Sequence, residues 1–423
     1  MNKAIKNMLL KIPAVREKYA LLMELREKGL LSEIEINRLH KVIEASRSPG
    51  LASSSEDMLT ERLLAHPANS PLPNIELTSI PATAKDNRVE IADRLITAYH
   101  KALSDEKESP IKRDGEDLWT GLLRKELPDL MESIDKKDPV ALSEFLMSFG
   151  SSYVWFGGIT TCVDGYNKNL DRKQVALSYL DKLVCLAESL GVLRMENPEH
   201  GPWGENLFVE PSEIVKLIEQ ELEINISAPL GIIHTDGIKA GDGCFHYRHI
   251  NSLYSAMRAS RLTKKGDSVC EIGGGLGLTA MYAQRLGIGH YTILDLPITC
   301  LLAGHYLLHA VGEDKVSLYG EKQSNNTTVQ LLPYWDCVKQ SNNNYSLVLN
   351  QDSLPEIADN LVYEFLRQVK RTSNNLFLSI NHECFYPRTV RNFTRDIGSF
   401  KEIYRSKCWV REGYIEELYS ITK

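Results

Sequence analysis

The chain has 423 residues, of which 43% are hydrophobic and 25% charged, and its formal net charge is −7. This composition is typical of a globular protein with two or three domains, and the negative charge disfavours a nucleic-acid backbone as the main partner. No apolar run reaches the roughly 18 residues that a membrane span needs, and no secretory signal is recognisable. The eight cysteines form no CxxC pair, which is typical of free thiols in a reducing compartment. We therefore expect a cytoplasmic protein without integral membrane contact.

The first 86 residues are predicted to contain a helical hairpin and a linker. Residues 1–47 form the hairpin, because apolar residues recur at helical spacing before Gly29 and a capping-box pattern follows at Ser32 and Glu35. The basic residues near the start could touch a membrane surface, but packing on this protein or on a twin subunit is the simpler interpretation. Residues 48–86 are rich in Ser, Pro, Ala and Asn, which predicts a linker or an extended arm.

Residues 87–225 are predicted to form a helical domain. Apolar residues at helical spacing predict helices over 88–103, 116–135, 138–149, 172–190 and 211–222. An aromatic and glycine-rich stretch, GSSYVWFGGITTC at 150–162, is too irregular to continue a helix. No internal repeat is present in this segment.

From residue 226 onward, short apolar strands alternate with helices. A glycine-rich stretch over 228–259 ends in a helix. Strands are predicted near 269–271, 291–294, 315–319, 345–349 and 376–380, and helices near 279–286, 298–310 and 356–370. A closing antiparallel pair of strands is predicted at 401–405 and 416–423. This alternation predicts an α/β fold in which a parallel sheet is covered by helices on both faces.

The stretch VCEIGGGLGLTAMYAQRLGIGHYTILDLP at 269–297 predicts a strand, a glycine-rich turn, a helix and a second strand. Glu271 closes the first strand and Asp295 closes the second. Four glycines in the turn let the backbone approach a ligand closely: Gly273, Gly274, Gly275 and Gly277. Two acidic strand ends beside one glycine-rich turn predict a nucleotide-like cofactor site at the carboxyl edge of a parallel sheet.

Two cofactor classes are compatible with the glycines. GLGLTA at 275–280 fits the GxGxxA form of a dinucleotide fingerprint. A pyrophosphate at this turn would be repelled by Glu271, whereas a cationic ligand without phosphate would be attracted. S-adenosylmethionine carries sulfonium and ammonium charges, and Asp295 can accept hydrogen bonds from ribose hydroxyls. We therefore predict S-adenosylmethionine as the cofactor and keep NAD as the alternative.

Polar side chains follow two further strands at the same predicted edge. NQDSLPEI at 350–357 follows one strand, and NHE at 381–383 follows the next. Part of the first loop could simply cap the following helix. A histidine beside a carboxylate can take a proton from a hydroxyl near neutral pH. The candidates for a catalytic base are His382, Asp352 and Glu356.

Two other polar groups have weaker patterns. Five residues lack a recognised metal-ligand spacing, and a polar loop explains them equally well: His234, Asp236, Asp242, His246 and His249. We therefore predict no metal site. Arg411, Tyr414 and Glu416 precede the last predicted strand, where they can line a pocket or bridge the terminal hairpin.

The motifs EIGGGLG, TILDLP, NQDSLPEI, NHE and REGYIEELY occur in this order within residues 228–423. Together they resemble the bacterial sugar O-methyltransferase family, a group of class I S-adenosylmethionine-dependent methyltransferases. The resemblance implies a Rossmann-like seven-stranded domain, 226–423, whose last strand is antiparallel. It implies methyl transfer to a hydroxyl of a sugar, such as a nucleotide sugar, a polysaccharide precursor or a glycosylated metabolite. The helical segment 87–225 would then form a lid, a substrate-binding region or the interface of a homodimer.

The resemblance also suggests which residues form the two halves of the site. Cofactor contacts are predicted for Glu271, Gly273, Gly274, Gly275, Gly277, Asp295, Leu296, Asn350 and Gln351. Acceptor contacts are predicted for His246, Tyr247, Glu383, Arg411 and Tyr414. The chain departs from the plant-type small-molecule O-methyltransferases, which it also resembles in the GGG turn followed by DLP. Those enzymes place a catalytic histidine after the fourth strand, where this chain has Gln351 followed by Asp352.

Two other functions stay open on the sequence alone. The first is an NAD-dependent sugar oxidoreductase or epimerase, which the glycine pattern permits. The second is a non-catalytic partner subunit that kept the methyltransferase fold. Binding of NAD instead of S-adenosylhomocysteine would favour the first, and cofactor binding without methyl transfer would favour the second.

Overall fold

A computed structural model of the protein describes residues 73–83, 86–111, 118–151, 172–197, 199–201, 203–384 and 387–423. The predicted hairpin at 1–47 and most of the aromatic stretch at 150–162 lie outside these residues. The described helices are α1 Arg88–Glu106, α2 Leu118–Glu126, α3 Pro128–Asp135, α4 Pro139–Leu146, α5 Arg172–Leu190, α6 Pro211–Leu222, α7 Tyr247–Leu262, α8 Leu278–Arg285, α9 Pro297–Ala310, α10 Asp359–Thr372 and α11 Val390–Ile397. The described strands are β1 Leu77–Ile80, β2 Thr235–Ala240, β3 Gly243–Phe245, β4 Ser268–Ile272, β5 His290–Asp295, β6 Val316–Ser317, β7 Val329–Pro333, β8 Tyr345–Gln351, β9 Ser373–His382, β10 Phe400–Lys407 and β11 Tyr414–Ile421.

The larger sheet has eight strands in the order β10-β11-β9-β8-β4-β5-β7-β6. Strands β4 to β9 pair in parallel, whereas β11 is antiparallel to both β9 and β10. Without the two-residue edge strand β6, seven strands remain, and the seventh in chain order lies between the fifth and the sixth. The prediction of a Rossmann-like α/β domain with an antiparallel last strand is therefore confirmed.

Alternating residues of the central strands enter two apolar layers. In β8, Leu347 and Leu349 join the apolar cluster on one face, whereas Val348 joins the cluster on the other. Successive side chains of a strand point to opposite faces, so this division shows that helices cover the sheet on both sides. The near-continuous apolar sequence of these strands follows from that double burial.

The parallel register brings the acidic and polar strand ends to one edge. Ile272 pairs with Leu294 on one side and with Asn350 on the other. The residues that follow these positions therefore leave the sheet together, at its carboxyl edge. This alignment is the reason that three segments far apart in the sequence can contribute to one site.

The described helices of the first half pack directly on the sheet domain. Helix α1 lies along α9, and a Cβ at Gly304 of α9 would be 2.6 Å from Leu95 Cδ2. This glycine is therefore needed for the close approach of the two helices. Apolar residues of α1, α5 and α6 belong to the same buried cluster as residues of β4 and β5. One continuous apolar core contains residues from both sides of position 225, so the core does not separate the helical region from the sheet domain. The predicted domain boundary at residue 225 stays a prediction.

A second sheet has three antiparallel strands in the order β1-β2-β3. β1 belongs to the segment predicted as a linker over 48–86, and it pairs with β2 from Leu77 opposite Ile238 to Ile80 opposite Thr235. The β2–β3 hairpin occupies the glycine-rich stretch for which only a loop was expected. Its tight packing needs glycine, because a Cβ at Gly237 would be 2.7 Å from the Phe245 carbonyl carbon.

Several predicted boundaries differ from those in the structure. The predicted helix over 116–135 is two helices separated at Leu127, because Pro128 begins the second. The predicted strand at 315–319 has only two residues, and β7 and α11 were not predicted at all. Asp138 caps α4 as its position before Pro139 suggests, accepting hydrogen bonds from two backbone N–H groups. Among the described residues, no helix combines the length and apolar content needed to cross a membrane.

Candidate cofactor and acceptor site

The glycine-rich turn meets the acidic end of β5 through a backbone hydrogen bond. Gly275 N–H donates to Asp295 Oδ2 at 2.9 Å, and Leu296 N–H donates to Asp295 Oδ1 at 2.7 Å. Gly275 has a φ of +55°, and a Cβ added there would meet no atom within 4 Å. The turn therefore presents bare backbone to open space directly beside a carboxylate, which is suited to a ligand that carries hydroxyl groups.

The other glycines of the turn are required for packing. A Cβ at Gly273 would overlap the Ser353 side chain, and one at Gly274 would lie 2.7 Å from Ile293 Cγ2. A Cβ at Gly277 would be 2.5 Å from Leu307 Cδ1. These three positions hold the turn against the loop after β8, against β5 and against α9, and Gly275 is the position where a ligand can approach.

Glu271 lies behind the glycine turn and is fully buried. Its Oε2 accepts a hydrogen bond from the Tyr291 hydroxyl at 2.9 Å, and its Oε1 accepts one from Gln351 Nε2 at 2.9 Å. Burial raises the pKa of the Glu271 carboxyl to about 7, although these two donors oppose the rise. The sequence placed Glu271 in contact with the cofactor, whereas in the structure it contacts the residues that support the site.

Gln351 is held in place from three directions. Its Nε2 donates to Glu271 and also to Thr279 Oγ1 at 2.7 Å, and its Oε1 accepts from Ser255 Oγ at 2.8 Å. The amide orientation is therefore defined by a donor on α7 and an acceptor on α8. Thr279 and Ser255 were not predicted as site residues. Thr279 stands in the GLGLTA stretch at 275–280, where attention went to the glycines, and Ser255 stands in no recognisable motif.

Asn350 connects the ends of three neighbouring strands through buried hydrogen bonds. It is fully buried, and its Nδ2 donates to the Ile272 carbonyl at 2.8 Å and to Ser353 Oγ at 2.6 Å. Asn381 Nδ2 donates to Asn350 Oδ1 at 2.8 Å. These contacts fasten β8 to β4 and β9, so Asn350 shapes the edge from inside, and its predicted cofactor contact stays a prediction.

Asp352 lies at the centre of an ion cluster. Its Oδ2 accepts hydrogen bonds from Arg411 Nη2 at 2.8 Å and from Arg248 Nη1 at 3.1 Å, and its Oδ1 accepts one from the Tyr414 hydroxyl. Burial alone would raise the pKa of the Asp352 carboxyl, but the two guanidinium groups hold it well below its usual range. A carboxylate held in this way is a poor proton acceptor, so the geometry disfavours the prediction of Asp352 as the base.

His382 ends β9 beside the same cluster. Its Nδ1 lies 3.1 Å from the Cys384 carbonyl oxygen, and its ring packs edge-on against Tyr414 with 5.6 Å between centroids. Burial lowers the pKa of His382, and Asp352 partly opposes that change. The ring is therefore neutral at pH 7, and when Nδ1 donates to Cys384 the Nε2 atom carries the basic lone pair.

His246 and Tyr247 stand at the start of α7, but they have different surroundings. His246 is fully buried, and its Nδ1 accepts a hydrogen bond from Arg248 N–H at 3.1 Å, which caps the helix. His246 therefore has a structural role as a helix cap, and its predicted acceptor contact stays a prediction. The Tyr247 hydroxyl accepts from Arg248 Nε at 3.0 Å and thereby joins the cluster around Asp352.

Glu383 and Glu356 are two other predicted site residues, and they follow the ends of β9 and β8 in the chain. Glu383 binds Arg405 through both carboxylate oxygens, at 3.0 and 2.8 Å, and Arg405 also contacts Glu417. Glu383 thus belongs to a network on β10 and β11. Glu356 was expected to open a helix, but it lies in a single turn of 3-10 helix, Leu354–Glu356, and the next helix begins at Asp359.

The loop before β11 supplies Arg411 and is fastened to the helical region. Arg411 is buried, and its guanidinium lies over the Tyr414 ring with its central carbon 3.5 Å from the ring centroid. Arg248, which shares Asp352 with Arg411, was not predicted, although it directly follows two residues that were. A third predicted residue near this strand, Glu416, is buried and accepts hydrogen bonds from Tyr254, Arg258 and Tyr404. It therefore bridges α7 to the terminal strands and does not line the site.

The described part of the chain contains no cluster of potential metal ligands. No group of three or more His, Cys, Asp and Glu side chains there is placed to hold an ion. His234 Nε2 does lie 3.4 Å from Asp236 Oδ1, but Asp236 also accepts from the Ser79 hydroxyl across the small sheet. This pair therefore helps to join β1 to β2.

No protein-family model matches the chain, and no curated protein matches it. Among solved structures, a SAM-dependent methyltransferase from Aquifex aeolicus is 14% identical over 42% of this chain and 100% of its own, with a TM-score of 0.31. A TehB-like SAM-dependent methyltransferase from Corynebacterium glutamicum is 11% identical over 40% and 88%, with a TM-score of 0.32. Magnesium protoporphyrin IX methyltransferase from Synechocystis, solved with bound SAM, is 12% identical over 42% and 80%, with a TM-score of 0.31.

These similarities cover about two fifths of the chain, at low identity and low TM-score. They carry no conclusion about the activity or substrate of this protein. The fold assignment rests on the strand order, the parallel register and the antiparallel β11.

Proposed function

We propose that the protein is an S-adenosylmethionine-dependent O-methyltransferase that acts on a hydroxyl group of a sugar. The observation that carries the proposal is the contact between Gly275 and Asp295 at the carboxyl edge of β4 and β5. The turn offers open backbone, and a carboxylate such as the one beside it can accept hydrogen bonds from ribose hydroxyls. The residues at this edge are therefore suited to bind S-adenosylmethionine.

The residues that would hold the cofactor form two sets. Gly275, Asp295 and Leu296 would bind its nucleoside part, and the Gln351 region would border its methionine part. S-adenosylmethionine supplies a methyl group that is already activated by the positively charged sulfur. Glu271 would act from beneath the site without touching the cofactor. Its carboxylate orients Gln351 through a hydrogen bond and adds negative potential near a cationic ligand.

The chain's own chemical task is to position a hydroxyl and accept its proton. His382 is the candidate base, since its ring is neutral at pH 7 and lies at the end of β9 beside Tyr414. Asp352 remains ionised and binds two arginines, so it organises the pocket. The choice of a sugar hydroxyl rests on the resemblance of the motifs, and the polar residues at this edge support it.

The strand order counts against the dinucleotide alternative. A dinucleotide-binding sheet of the Rossmann type has the parallel order 3-2-1-4-5-6. In this chain an antiparallel strand, β11, lies between the strands equivalent to the fifth and sixth. The buried carboxyl of Glu271 beneath the turn is also unfavourable for a pyrophosphate.

Calorimetry with S-adenosylhomocysteine and with NAD tests the cofactor assignment. We expect saturable binding of S-adenosylhomocysteine and none of NAD, and the reverse result would refute the proposal. Transfer of a labelled methyl group to a panel of sugars, sugar phosphates and nucleotide sugars tests the reaction. Binding of the cofactor without transfer to any member would instead favour a non-catalytic subunit.

A further inference from the structure

We propose that Asn251 binds the acceptor through two neighbouring hydroxyl groups, one of which receives the methyl group. This inference rests on the proposed function and names the acceptor class, a sugar with adjacent free hydroxyls. The observation behind it is a buried amide. Asn251 is 3% exposed, and within the ranges that the structure describes neither its Oδ1 nor its Nδ2 has a hydrogen-bond partner.

An amide buried in this way is unfavourable for folding. Its donors and its acceptor lose their hydrogen bonds to water and gain none within the protein. Such groups are rare in native proteins, and departures of this kind from the rules of folding are expected at functional sites. A leucine has the same number of side-chain heavy atoms and would avoid the penalty, so the amide at position 251 is explained if it serves a ligand.

Two neighbours of Asn251 on α7 show what its face of the helix covers. Residues three and four positions apart lie side by side on a helix surface. Tyr254 donates from its hydroxyl to Glu416 Oε2 of β11 at 2.6 Å, and Ser255 Oγ donates to Gln351 Oε1 of β8 at 2.8 Å. The face of α7 that carries Asn251 therefore lies against the end of β8 and the start of β11, at the carboxyl edge.

The strand between β8 and β11 carries the candidate base. This strand is β9, and its Ile380 pairs with Gln351 on one side and with Glu416 on the other. His382 follows two positions later, so its side chain points to the same face of the sheet as that of Ile380. The face of α7 that carries Asn251 thus covers the side of β9 on which His382 lies.

The direction of α7 brings Asn251 toward the level of His382. Arg248, three positions before Asn251, donates to Asp352 Oδ2 at 3.1 Å, and Asp352 directly follows β8. Earlier residues of α7 therefore contact positions nearer the rim of the carboxyl edge. The side chains of Arg248 and Asp352 are 22% and 23% exposed, and His382 and Tyr414 are half-buried. Because side-chain rotamers commonly change on binding, we expect the Asn251 amide to turn toward a hydroxyl that enters at this rim.

The carboxamide matches two adjacent hydroxyl groups. It has donors at Nδ2 and an acceptor at Oδ1 in one plane, and each hydroxyl can both donate and accept. The hydroxyl to be methylated would accept from Nδ2, so its own proton stays available to His382, and the neighbouring hydroxyl would donate to Oδ1. The placement over β9 favours the acceptor over the cofactor, which is assigned to the ends of β4, β5 and β8.

Methyl transfer by the full chain tests the inference. The probes are sugars, sugar phosphates and nucleotide sugars, among them glucose, glucose 1-phosphate, UDP-glucose and GDP-mannose, and the one methylated fastest is the reference acceptor. Asn251→Leu should lower kcat/KM for this acceptor about 10- to 100-fold and leave affinity for S-adenosylhomocysteine unchanged in calorimetry. An unchanged kcat/KM would overturn the inference, because the amide would then serve a buried water or packing. A matching loss of affinity for S-adenosylhomocysteine would assign Asn251 to the cofactor and overturn it as well.

Thermal unfolding separates a lost contact from a damaged fold. Asn251→Leu removes a buried amide without a partner, so its melting temperature should rise by about 2 °C or more. Thr328→Val is the matched control, because Thr328 Oγ1 is also buried and lacks a partner within the same described ranges. Thr328 directly precedes β7 and so lies at the opposite edge of the sheet from the site. This variant should keep full activity.

A deoxy analogue of the reference acceptor tests the pair of hydroxyls. The analogue lacks the hydroxyl next to the one that is methylated. The wild type should use it at least about 10-fold less efficiently, since a site built to bind a hydroxyl rejects the analogue without it. Asn251→Leu should use the two acceptors about equally. Equal use by the wild type would refute the inference, and this comparison decides the question even if the leucine variant does not fold.

The two proposals fail in different ways. If the wild-type chain methylates no probe, the proposed function is wrong and the inference falls with it. If the wild type methylates a probe and Asn251→Leu does so equally well, only the present inference is wrong.

Discussion

Lys182 and Glu412 form a buried ion pair that joins the helical region to the loop before the last strand. Lys182 Nζ lies 2.7 Å from Glu412 Oε2, the two residues are 230 positions apart, and their side chains are 8% and 7% exposed. Lys182 also donates to the Val410 carbonyl at 3.2 Å. Arg411 lies between these two partners in the chain, so helix α5 fixes the loop that carries it.

Replacement of Lys182 should damage acceptor binding as well as stability. Lys182→Met removes the cation of this buried pair, and breaking comparable buried pairs costs about 3 to 5 kcal/mol. The loop would then hold Arg411 less firmly, so KM for the acceptor should rise more than kcat falls. Thermal unfolding and steady-state kinetics measure the two effects.

The double variant Lys182→Met with Glu412→Leu is the control for this prediction. It removes both charges of the pair, so a large part of the lost stability should return. If Lys182→Met alone is as stable as the wild type and has an unchanged KM, the ion pair does not position the loop.

Gly275→Ala should separate cofactor affinity from stability. A methyl group at this position meets no protein atom within 4 Å, so only the positive φ of +55° opposes it, at a cost of about 1–2 kcal/mol. The methyl would, however, fill the space where the cofactor approaches the backbone. We expect affinity for S-adenosylhomocysteine to fall at least about 10-fold, as measured by calorimetry.

Gly241→Ala is the matched control for Gly275→Ala. Gly241 has a φ of +59°, also meets no atom within 4 Å, and lies between β2 and β3 away from the cofactor turn. It should show a similar loss of stability and unchanged cofactor affinity. Equal affinities in the two variants would contradict the assignment of Gly275 to the cofactor site.

The buried carboxyl of Glu271 predicts a pH dependence of stability. Its pKa is raised to about 7 by burial, above the value near 4.3 of an unfolded chain. The folded state therefore gains stability from the protonated form at low pH, and this gain is lost as pH rises through about 7. The full difference corresponds to about 3 to 4 kcal/mol. Glu271→Gln should thus become more stable relative to the wild type as pH increases from 5 to 8, as measured by thermal unfolding.

The same group predicts a pH dependence of cofactor affinity. A cationic ligand favours the ionised carboxylate, so S-adenosylmethionine should bind more tightly at pH 8 than at pH 6. In Glu271→Gln this dependence should disappear. A wild-type affinity that is constant over this range would show that Glu271 does not interact electrostatically with the cofactor.

His382→Ala should lower kcat by about 10²- to 10⁴-fold, the usual contribution of a general base. Affinity for S-adenosylhomocysteine should stay unchanged, because His382 is placed on the acceptor side. Since burial lowers the pKa of His382, kcat of the wild type should be flat near pH 7 and fall only below about 6.5. His290→Ala, an exposed histidine at the start of β5, is the control. Full activity of His382→Ala would exclude His382 as the base.

The sequence by itself determined the parts of this protein that depend on local patterns. Two apolar runs that end in acidic residues, with a glycine-rich turn after the first, specify β4, the turn and β5 because strand and turn preferences act over a few residues. The carboxyl edge was predictable for the same reason, since parallel strands linked by helices all end there. Strand β7 and the β2–β3 hairpin were missed, because their short apolar runs lack clear periodicity.

Only the tertiary structure decided which polar side chains are buried and which stay partly exposed at the carboxyl edge. Glu271 and Asn350 stand in recognisable motifs, yet both are buried and bind neighbouring strands, whereas Arg248 stands in no motif and contacts Asp352. The direction of a side chain depends on partners that are distant in the sequence, such as Arg411 for Asp352 and Lys182 for Glu412. Burial and charge pairing across these distances set the pKa values and the exposure of each group, and neither quantity is a local property of the chain.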